Sequence, residues 1–566
     1  MQGSALSVST GIMPFGDTTH FLYPGQVPLE TLNTNSRTEV NFKTLINELP
    51  SLSEESINFC LNPKQTFEDP AASFFEESSV ERNIDNATVV ANLEAMFNCE
   101  SIGVIDSPDS ICSYDQDMIK KFEDGIEIIN GQVNVELVWH DNVNQVPPNH
   151  NVALKICDIV SDKLERKGKL ESYNQIFFDQ MNEDVIEEFE CASEAFEKYN
   201  WLPHHPVYKD DPTSTFPARP VFNCSLKSDK TKPSLNEAAY VGINLMQAMA
   251  ALIMLFRTNY YTLLGDLRKA FLQIKLKLES DKNRFCFFLK VGNKLKCYRY
   301  KTIIFGFCSS PFILNYVLKY IARQGPQDEC TEIIKNKCFV DNLASTSNNI
   351  QILTKLYNDC SDRMEKFHFV LRACNSNNEN LRELMKKDGR YITHDQEYDK
   401  VLGYKYSSTK DVMKLANIKI NAEANTHRQM LSEFARVFDL LAFTVPVTVR
   451  GKTLLSSLWS LRKSGGTWDK ILSGEFQRAW SKLAPDLEGL SDVEFPRYSL
   501  SQEKPTDFII FIDASQQAYG YVLYAKQLNV SNFVTAKCKT APLQKKTLPI
   551  LELLGVYLGL MGLVKY

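Results

Sequence analysis

Apolar and polar residues alternate over several short stretches of the chain, and this period of two predicts β-strands. Residues 262–278 begin with the apolar stretch TLLGDL, which predicts a strand that leads into a tight turn, a helix-like segment and a second strand. Residues 283–304 alternate on both sides of Gly292 and Asn293, which predicts a β-hairpin. Residues 338–345 predict a short strand–turn–strand unit.

Longer segments with apolar residues three or four positions apart predict helices. These segments are residues 151–199, 234–257, 310–322, 350–367 and 548 to the end, with residues 88–125 helical at both ends and turned in the middle. Pro311 lies near the start of one helix, where its missing amide hydrogen costs nothing. Five prolines between residues 203 and 220 predict an extended segment, because proline disfavours helix in itself and in the residue before it.

The remaining segments give weaker signals. Further strands are predicted over residues 507–526 and 532–539, and residues 389–492 mix short strands with helices. Residues 1–90 are rich in Ser, Thr, Asn and Glu and have weak periodicity, so we expect them to be loop-rich or partly disordered. The chain is therefore expected to contain both helices and sheets.

Composition sets the class of protein. The chain has 566 residues, of which 44% are hydrophobic and 23% charged, the balance of a globular protein with three or four compact units. No charge-free apolar run reaches the ~18–20 residues of a membrane helix. The nearest, residues 241–256, contains Asn244 and Gln247 and is predicted to be a buried amphipathic helix. The N-terminus lacks the pattern of a signal peptide, so an intracellular protein without a membrane partner is expected.

The net charge of −6 argues against a protein whose whole surface binds nucleic acid, but one segment is basic. Between residues 266 and 301 there are eleven basic and three acidic residues. Five aromatic residues lie among them: Phe285, Phe287, Phe288, Tyr298 and Tyr300. This pattern suits a surface that follows phosphates and stacks bases. The alternative is an ordinary solvated strand face, which the charge pattern alone favours.

Two aspartates follow or interrupt apolar strands. Asp266 lies at the end of a strand in LLGDLRKAFLQI, and Asp341 lies at the tip of the predicted hairpin CFVDNLAS. Carboxylates at the ends of neighbouring strands can share divalent cations, as nucleotidyl transfer requires, with two metals about 4 Å apart. Mg²⁺ suits an all-oxygen site that also binds a triphosphate. Each aspartate alone is as compatible with a turn or cap.

Three segments, LLGDLRKAFLQI, IIFGFCSSPF and CFVDNLAS, resemble in order three palm motifs of reverse transcriptases. WLPHHPV, RPVFNCS and PSLNEAAYVGINL resemble the fingers and early palm of retrotransposons of the BEL/Pao group. VLGYKYSS and LSEFARVFDLLAFTVPVTVRGKTLLSSLW resemble the thumb and connection of that group, and FIDASQQAYGYVLYA with LPILELLG resembles the start of its ribonuclease H domain. The resemblance covers roughly residues 90–566.

The resemblance implies an α+β fold with a right-hand polymerase (fingers, palm and thumb), followed by a connection and a partial ribonuclease H-like α/β domain. It divides the chain into an unassigned segment (1–90), a helical leader (91–200), fingers and palm (201–376), thumb and connection (377–500) and a truncated ribonuclease H-like domain (505–566). The implied function is RNA-directed DNA synthesis. The implied partners are an RNA template, a DNA or RNA primer and deoxynucleoside triphosphates, and the implied cofactor is two Mg²⁺ ions or Mn²⁺ in their place.

The resemblance also assigns roles to single residues. Asp266 and Asp341 match the metal-binding catalytic aspartates, and Arg219 matches the fingers arginine that contacts the triphosphate, a role that suits a forked guanidinium. Phe271 matches the aromatic residue that excludes a 2′-hydroxyl, although packing in the core is its alternative role. The remaining matches, to the loop and helix that line the nucleotide and template pocket, are Phe305, Gly306, Ser310 and Pro311.

Some positions depart from the family pattern. Asn342 follows Asp341 where a second aspartate is usual, and Asn223 replaces a fingers aspartate, so metal affinity is expected to fall. Asp513 and Glu552 resemble two carboxylates of the ribonuclease H site, but the further acidic residues do not appear before Tyr566, so RNA hydrolysis by this chain is not expected. These departures favour the alternative of a non-catalytic, truncated remnant that folds and binds nucleic acid.

Overall fold

A computed structural model of the chain describes residues 112–190, 193–208, 218–391, 397–463 and 467–564. The predictions for residues 1–90 and for the helix that begins at residue 88 lie outside the described residues. The described chain divides into two units. The N-terminal unit reaches Leu402 and includes Ser407–Lys410, and the C-terminal unit consists of Gly403–Tyr406 and the residues from Asp411 onward.

The N-terminal unit contains both helices and strands. Its helices are α1 (Ser113–Asp124), α2 (His150–Glu165), α3 (Leu170–Asn182), α4 (Ser193–Lys198), α5 (Leu235–Ala238), α6 (Met249–Phe256), α7 (Glu279–Lys282), α8 (Ser310–Arg323), α9 (Glu329–Asn336), α10 (Ile350–Glu365) and α11 (Glu379–Lys387). Its strands are β1 (Glu127–Ile129), β2 (Gln132–Val135), β3 (Ile186–Phe189), β4 (His204–Tyr208), β5 (Ala218–Phe222), β6 (Tyr261–Leu267), β7 (Lys275–Leu276), β8 (Cys286–Val291), β9 (Lys294–Tyr300), β10 (Cys338–Phe339), β11 (Asn342–Ser347), β12 (Leu371–Asn375) and β13 (Asp399–Val401).

The sheet that carries the predicted aspartates has four antiparallel strands in the order β10–β11–β6–β12. Helix α10 packs on β6, β11 and β12, and α9 packs on β10 and β11. Leu263, Leu267 and Leu343 are buried in the core that these elements share. Because one face of the sheet is covered by helices, its register is fixed by the apolar residues on that face.

Helices α9 and α10, which precede and follow the β10–β11 hairpin, are joined by an ion pair. The Asp328 side chain caps α9 by accepting from the backbone of Thr331 at 3.0 Å. Arg363 on α10 donates to the two carboxylate oxygens of Asp328 at 3.1 and 2.7 Å. This guanidinium lowers the pKa of Asp328 to about 2. This ion pair joins the N-terminal end of α9 to the last turn of α10.

Three smaller sheets also belong to the unit. Strands β3, β9 and β8 form an antiparallel sheet, β1, β2 and β7 form a second with β2 and β7 parallel, and β4 and β5 form a hairpin. The predicted hairpin around Gly292 is present as β8 and β9. The strand, turn and helix-like segment predicted over residues 262–278 are β6, a 3-10 turn (Ala270–Gln273) and β7.

The helix predicted over residues 234–257 is wrong in its middle. Ser234 and Glu237 form a capping box that starts α5, but α5 ends at Ala238 and helix resumes only at Met249. Gly242 has a φ of +88°, and a Cβ there would lie 2.1 Å from Cγ of Phe312. The chain leaves the helical path because this close contact requires a glycine in the left-handed conformation. The apolar periodicity of the sequence does not indicate such a contact. The amphipathic helix predicted over residues 241–256 is therefore only half as long.

The C-terminal unit also combines sheets and helices. Its elements are β14 (Tyr404–Ser407), β15 (Val412–Leu415), α12 (His427–Phe434), α13 (Val445–Lys463), α14 (Gly474–Gly489), β16 (Phe495–Pro496), β17 (Asp507–Ala514), β18 (Ala518–Gln527), β19 (Val530–Thr540) and α15 (Leu548–Val564). Strands β17, β18 and β19 form an antiparallel meander, and α15 packs on β17 and β18. Arg497 is fully buried and pairs with Asp411 through two hydrogen bonds of 2.6 and 3.0 Å.

The predicted α+β class is confirmed in both units. Within the described part of the chain, no helix combines the length and apolarity that a membrane crossing requires.

Candidate nucleotidyl-transfer site

Asp341 lies in a strained two-residue turn between β10 and β11. Phe339 and Asn342 are the paired residues that flank the turn. Val340 has a φ of +58°. A β-branched residue in this conformation costs on the order of 1–3 kcal/mol and persists where the surroundings impose it. The pairing of β10 with β11 and of β11 with β6 holds the chain on both sides of this turn.

The structure brings Asp266 and Asp341 to the same end of neighbouring strands. Asn342 on β11 is the register partner of Asp266 on β6. The backbone N–H of Leu267 donates to the carbonyl oxygen of Asp341 at 2.8 Å. After burial, the negative charge of Asp266 is the next influence that raises the pKa of Asp341. The two carboxylates are therefore neighbours, as the strand-end argument requires.

The charges around Asp341 oppose each other. Burial is the largest influence and raises the pKa of Asp341, and the negative charge of Asp266 raises it further. The guanidinium groups of Arg219 and Arg372 lower it, which places both arginines within electrostatic range. A bound cation would relieve the repulsion between the carboxylates.

Asn342 makes a contact that an aspartate could not. Its Nδ2 donates to Oδ1 of Asp341 at 2.9 Å. A carboxylate at this position would repel Asp341 instead of donating to it. The amide group of Asn342 thus stabilises the ionised form of Asp341. Its amide oxygen is still available to coordinate a cation.

Arg372 is a site residue that the sequence prediction missed. It lies on β12 as the register partner of Asp266, and its Nε donates to Oδ2 of Asp266 at 2.9 Å. Asp266 thus has Asn342 on one neighbouring strand and Arg372 on the other. Its segment, HFVLRACNSN, gives no sign that one arginine faces the aspartate, because strand register is not visible in the sequence.

The predicted substrate-binding residues lie on three elements of the N-terminal unit. Arg219 is exposed on β5, opposite Val207 of β4. The rings of Phe271 and Phe305 meet edge to face with their centroids 4.7 Å apart. Phe271 is 7% exposed and Phe305 is 41% exposed, so the first is a packed ring and the second is open to a ligand.

The loop that carries Phe305 is fixed to β5. Gly306 has a φ of +104°, and a Cβ there would lie 2.1 Å from the carbonyl oxygen of Phe222. Ser310 ties the loop to the start of α8 by donating its hydroxyl to the carbonyl oxygen of Ile304 at 2.7 Å. Since Phe222 and Arg219 share β5, the contact at Gly306 sets the loop relative to the strand of Arg219.

Asn223 has a local structural role. Its Oδ1 accepts from the backbone N–H of Ser225 at 3.1 Å, and its own N–H donates to the carbonyl oxygen of Pro203 at 3.0 Å. An aspartate at this position would make the same turn. Asparagine in place of the usual aspartate therefore leaves this part of the backbone unchanged.

The basic segment is not a base-stacking surface. Its five aromatic residues are at most 2% exposed and belong to the core, which excludes the base-stacking interpretation that the charge pattern alone already disfavoured. Four acidic residues in or beside β3 (Glu183, Asp184, Glu187 and Glu188) pair with Arg268, Lys269, Lys275, Lys296, Arg299 and Lys301. The local excess of positive charge is thus offset by an element far upstream in the chain, which a local charge count cannot detect.

The residues at the β6–β11 strand ends suit a hard cation. Among the described residues no group of three or more His, Cys, Asp or Glu side chains is arranged to hold a metal. Asp266 and Asp341 supply two carboxylates, and Asn342 supplies an amide oxygen. Mg²⁺ prefers oxygen ligands and is commonly bound by one or two carboxylates together with substrate phosphates. The donor set therefore fits Mg²⁺ with a triphosphate better than Mg²⁺ alone.

Asp513 and Glu552, the predicted partial ribonuclease H site, lie on packed elements of the C-terminal unit. Asp513 is exposed on β17, where its Oδ1 accepts from the N–H of Ala514 at 2.9 Å, and Glu552 is exposed on α15. A Cβ at Gly555, one turn beyond Glu552, would lie 2.9 Å from Ile512. The glycine lets the helix approach the strand closely, so both acidic residues lie near this contact.

Comparison with protein families gives one match. Residues 426–565 match the family described as "Pao retrotransposon-like RNaseH-like domain". This segment of the chain is therefore similar to a Pao retrotransposon-like domain. The predicted resemblance to this group of retrotransposons and the predicted ribonuclease H-like fold at the C-terminal end are thereby confirmed. The matched segment includes α12 to α15 and the β17–β19 meander. No curated protein sequence matches the chain.

Three solved structures are similar to between 70% and 87% of the chain at 12% identity. The foamy viral protease-reverse transcriptase dRH in complex with double-stranded DNA has a TM-score of 0.49, with 87% of this chain and 75% of that one covered. The foamy viral protease-reverse transcriptase with RNA/DNA hybrid has a TM-score of 0.46, with 87% and 58% covered. The same protein with double-stranded DNA has a TM-score of 0.47, with 70% and 71% covered. These distant likenesses assign no residue, and the case for the site rests on its own geometry.

Proposed function

We propose that this chain is the RNA-directed DNA polymerase of a retrotransposon, which extends a primer with deoxynucleotides on an RNA template. The observation that carries the proposal is the pairing of Asp266 and Asp341 at adjoining strand ends, with Asn342 as the register partner of Asp266. Two carboxylates that repel each other at a partly exposed sheet end would gain from a bound cation, and carboxylates perturbed by burial and by each other are candidates for a functional site.

Each of these residues would have a separate role at the site. Asp266 and Asp341 would hold two divalent ions, Mg²⁺ or Mn²⁺, with the amide oxygen of Asn342 as a further donor. Such ions, when bound, stabilise the attacking 3′-oxygen and the leaving pyrophosphate. Arg219, within electrostatic range of Asp341, would bind the triphosphate through its forked donors.

The aromatic pair would select and place the nucleotide. Phe271, packed on Phe305, offers a rigid ring below the sugar, where a 2′-hydroxyl would overlap with it. Phe305 is exposed and can contact the incoming base or sugar, and the left-handed Gly306 beside it lets backbone approach closely. The primer–template duplex would be recognised mainly through its phosphates, without sequence preference.

Primer extension on poly(rA)/oligo(dT) with Mg²⁺ or Mn²⁺ tests the proposal. The wild-type chain should give elongated product, and Asp266→Asn should abolish it. Asp117→Asn, an identical change on the exposed face of α1, is the matched control and should retain activity. A silent wild type across both metals, or undiminished product from Asp266→Asn, would refute a polymerase with this site.

Two observations favour a non-catalytic remnant as the second candidate. Asn342 supplies no charge, and Arg372 neutralises Asp266. If this candidate is correct, the wild type binds nucleic acid but gives no product, and the restored aspartate in Asn342→Asp brings back extension.

A further inference from the structure

The ion pair between Arg372 and Asp266 is built into the sheet. The two residues are register partners on β12 and β6, and Leu371 beside Arg372 pairs with Leu267 beside Asp266. Immediately after Arg372 the strand is irregular: Ala373 has a φ of +50°, and pairing with β6 resumes only at Asn375. Bulges of this kind redirect side chains at the edges of sheets. The backbone thus directs the guanidinium to the Asp266 carboxylate.

Two guanidinium groups offset the two carboxylates of the site. Asp266 and Asp341 carry two negative charges, and Arg372 and Arg219, which both act on Asp341, carry two positive charges. Asn342 adds none. A divalent cation that approaches without nucleotide therefore meets carboxylates that guanidinium groups already offset, and Asp266 is already paired with Arg372 at 2.9 Å. A bound triphosphate adds negative charge to the site, and this charge favours binding of the cation.

We propose that Arg372 is an internal counter-ion that occupies Asp266 until substrate arrives, so that the divalent ion binds together with the nucleoside triphosphate and weakly without it. This inference rests on the proposed polymerase function. Arg372 is here a positioning residue, since it acts through Asp266. The guanidinium leaves Asp266 when the cation takes the carboxylate, and 38% of the arginine side chain is exposed, which gives it room to move.

If Arg372 instead supported Asp266 in metal binding, its removal would have the opposite effect on metal affinity. If the arginine served to orient Asp266 for the metal, its removal would weaken metal binding, as loss of a supporting partner usually does by about 10–100-fold. The sign of the change in metal affinity therefore separates a competitor from a support.

The experiment titrates Mn²⁺ alone into the full chain and measures free Mn²⁺ by electron paramagnetic resonance. Arg372→Met should bind Mn²⁺ about fivefold more tightly than wild type, the factor that corresponds to loss of one partly exposed ion pair. Arg372→Lys keeps the charge and should stay near wild type. Arg268→Met is the matched control and should not change the affinity, because Arg268 pairs with Glu183 outside the site.

A second arm repeats the titration with dTTP present and no primer. The difference between wild type and Arg372→Met should shrink, because the triphosphate competes for the arginine. Circular dichroism of each variant reports its folding, and Arg372→Gln replaces Arg372→Met if the latter unfolds.

Equal or weaker Mn²⁺ binding by folded Arg372→Met would overturn the inference and leave the polymerase proposal intact. If Asp266→Asn does not reduce Mn²⁺ binding in any arm, the metal site itself is refuted, and the proposed function fails together with the inference.

Discussion

The contact between Gly306 and β5 can be tested by one added methyl group. In Gly306→Ala the new Cβ would lie 2.1 Å from the carbonyl oxygen of Phe222 and 3.1 Å from its carbonyl carbon. Both are backbone atoms of a paired strand, so a side-chain rotation cannot remove the overlap. The φ of +104° adds strain of its own, because an L-residue with a Cβ disfavours this conformation.

The cost has two parts. The positive φ contributes about 1–2 kcal/mol, and overpacking against fixed backbone typically contributes about 1–3 kcal/mol. The free energy of unfolding should therefore fall by about 2–5 kcal/mol, a large part of the roughly 5–15 kcal/mol that is usual for a domain. If the loop moves instead, Phe305 shifts relative to Arg219, and a displacement of about 1 Å at a reacting centre can lower the rate about 100-fold.

Gly292→Ala is the matched control for this substitution. Gly292 also has a positive φ, +56°, but no atom lies within 4 Å of the place that an added methyl group would take, so only the backbone strain applies. Urea unfolding followed by tryptophan fluorescence should show the larger loss for Gly306→Ala. Primer extension should be lost in this variant and retained in Gly292→Ala. Equal destabilisation of the two variants, with activity kept in both, would refute the close approach of the loop to β5.

Three further changes test the site and its support. Asn342→Asp should lower the Mg²⁺ concentration for half-maximal primer extension by roughly tenfold, since ligand charge tunes affinity for hard cations; an unchanged Mg²⁺ requirement would contradict the role of the amide. Phe271→Val should raise ribonucleotide incorporation by roughly tenfold or more in a competition assay against deoxynucleotides, and unchanged selectivity would leave the ring a packing residue alone. Burial lowers the pKa of His204 from 6.5 to about 4, so stability is fully present above pH 6.5 and falls by up to about 3 kcal/mol towards pH 4. His204→Gln should remove this part of the pH dependence in chemical denaturation, whereas His205→Gln, at the exposed neighbour, should leave it in place.

Much of the local structure follows from the sequence. The apolar stretch TLLGDL, the Gly292–Asn293 turn and the apolar spacing after Pro311 each predict an element that the structure contains. These signals are local, because a strand or helix shows in the side chains of its own residues. The likeness to the Pao group, confirmed over residues 426–565, is likewise a property of the sequence.

Only the tertiary structure decides which residues face each other across neighbouring strands and helices. The pairing of Asp266 with Asn342 on one side and Arg372 on the other depends on the register of three strands that are distant in sequence. The break at Gly242 depends on Phe312, far along the chain, and the basic segment is neutralised by acidic residues from beside β3. In each case the decisive partner is brought close by packing of the whole unit. Local periodicity carries no information about such a partner, since it does not encode strand register or long-range contact.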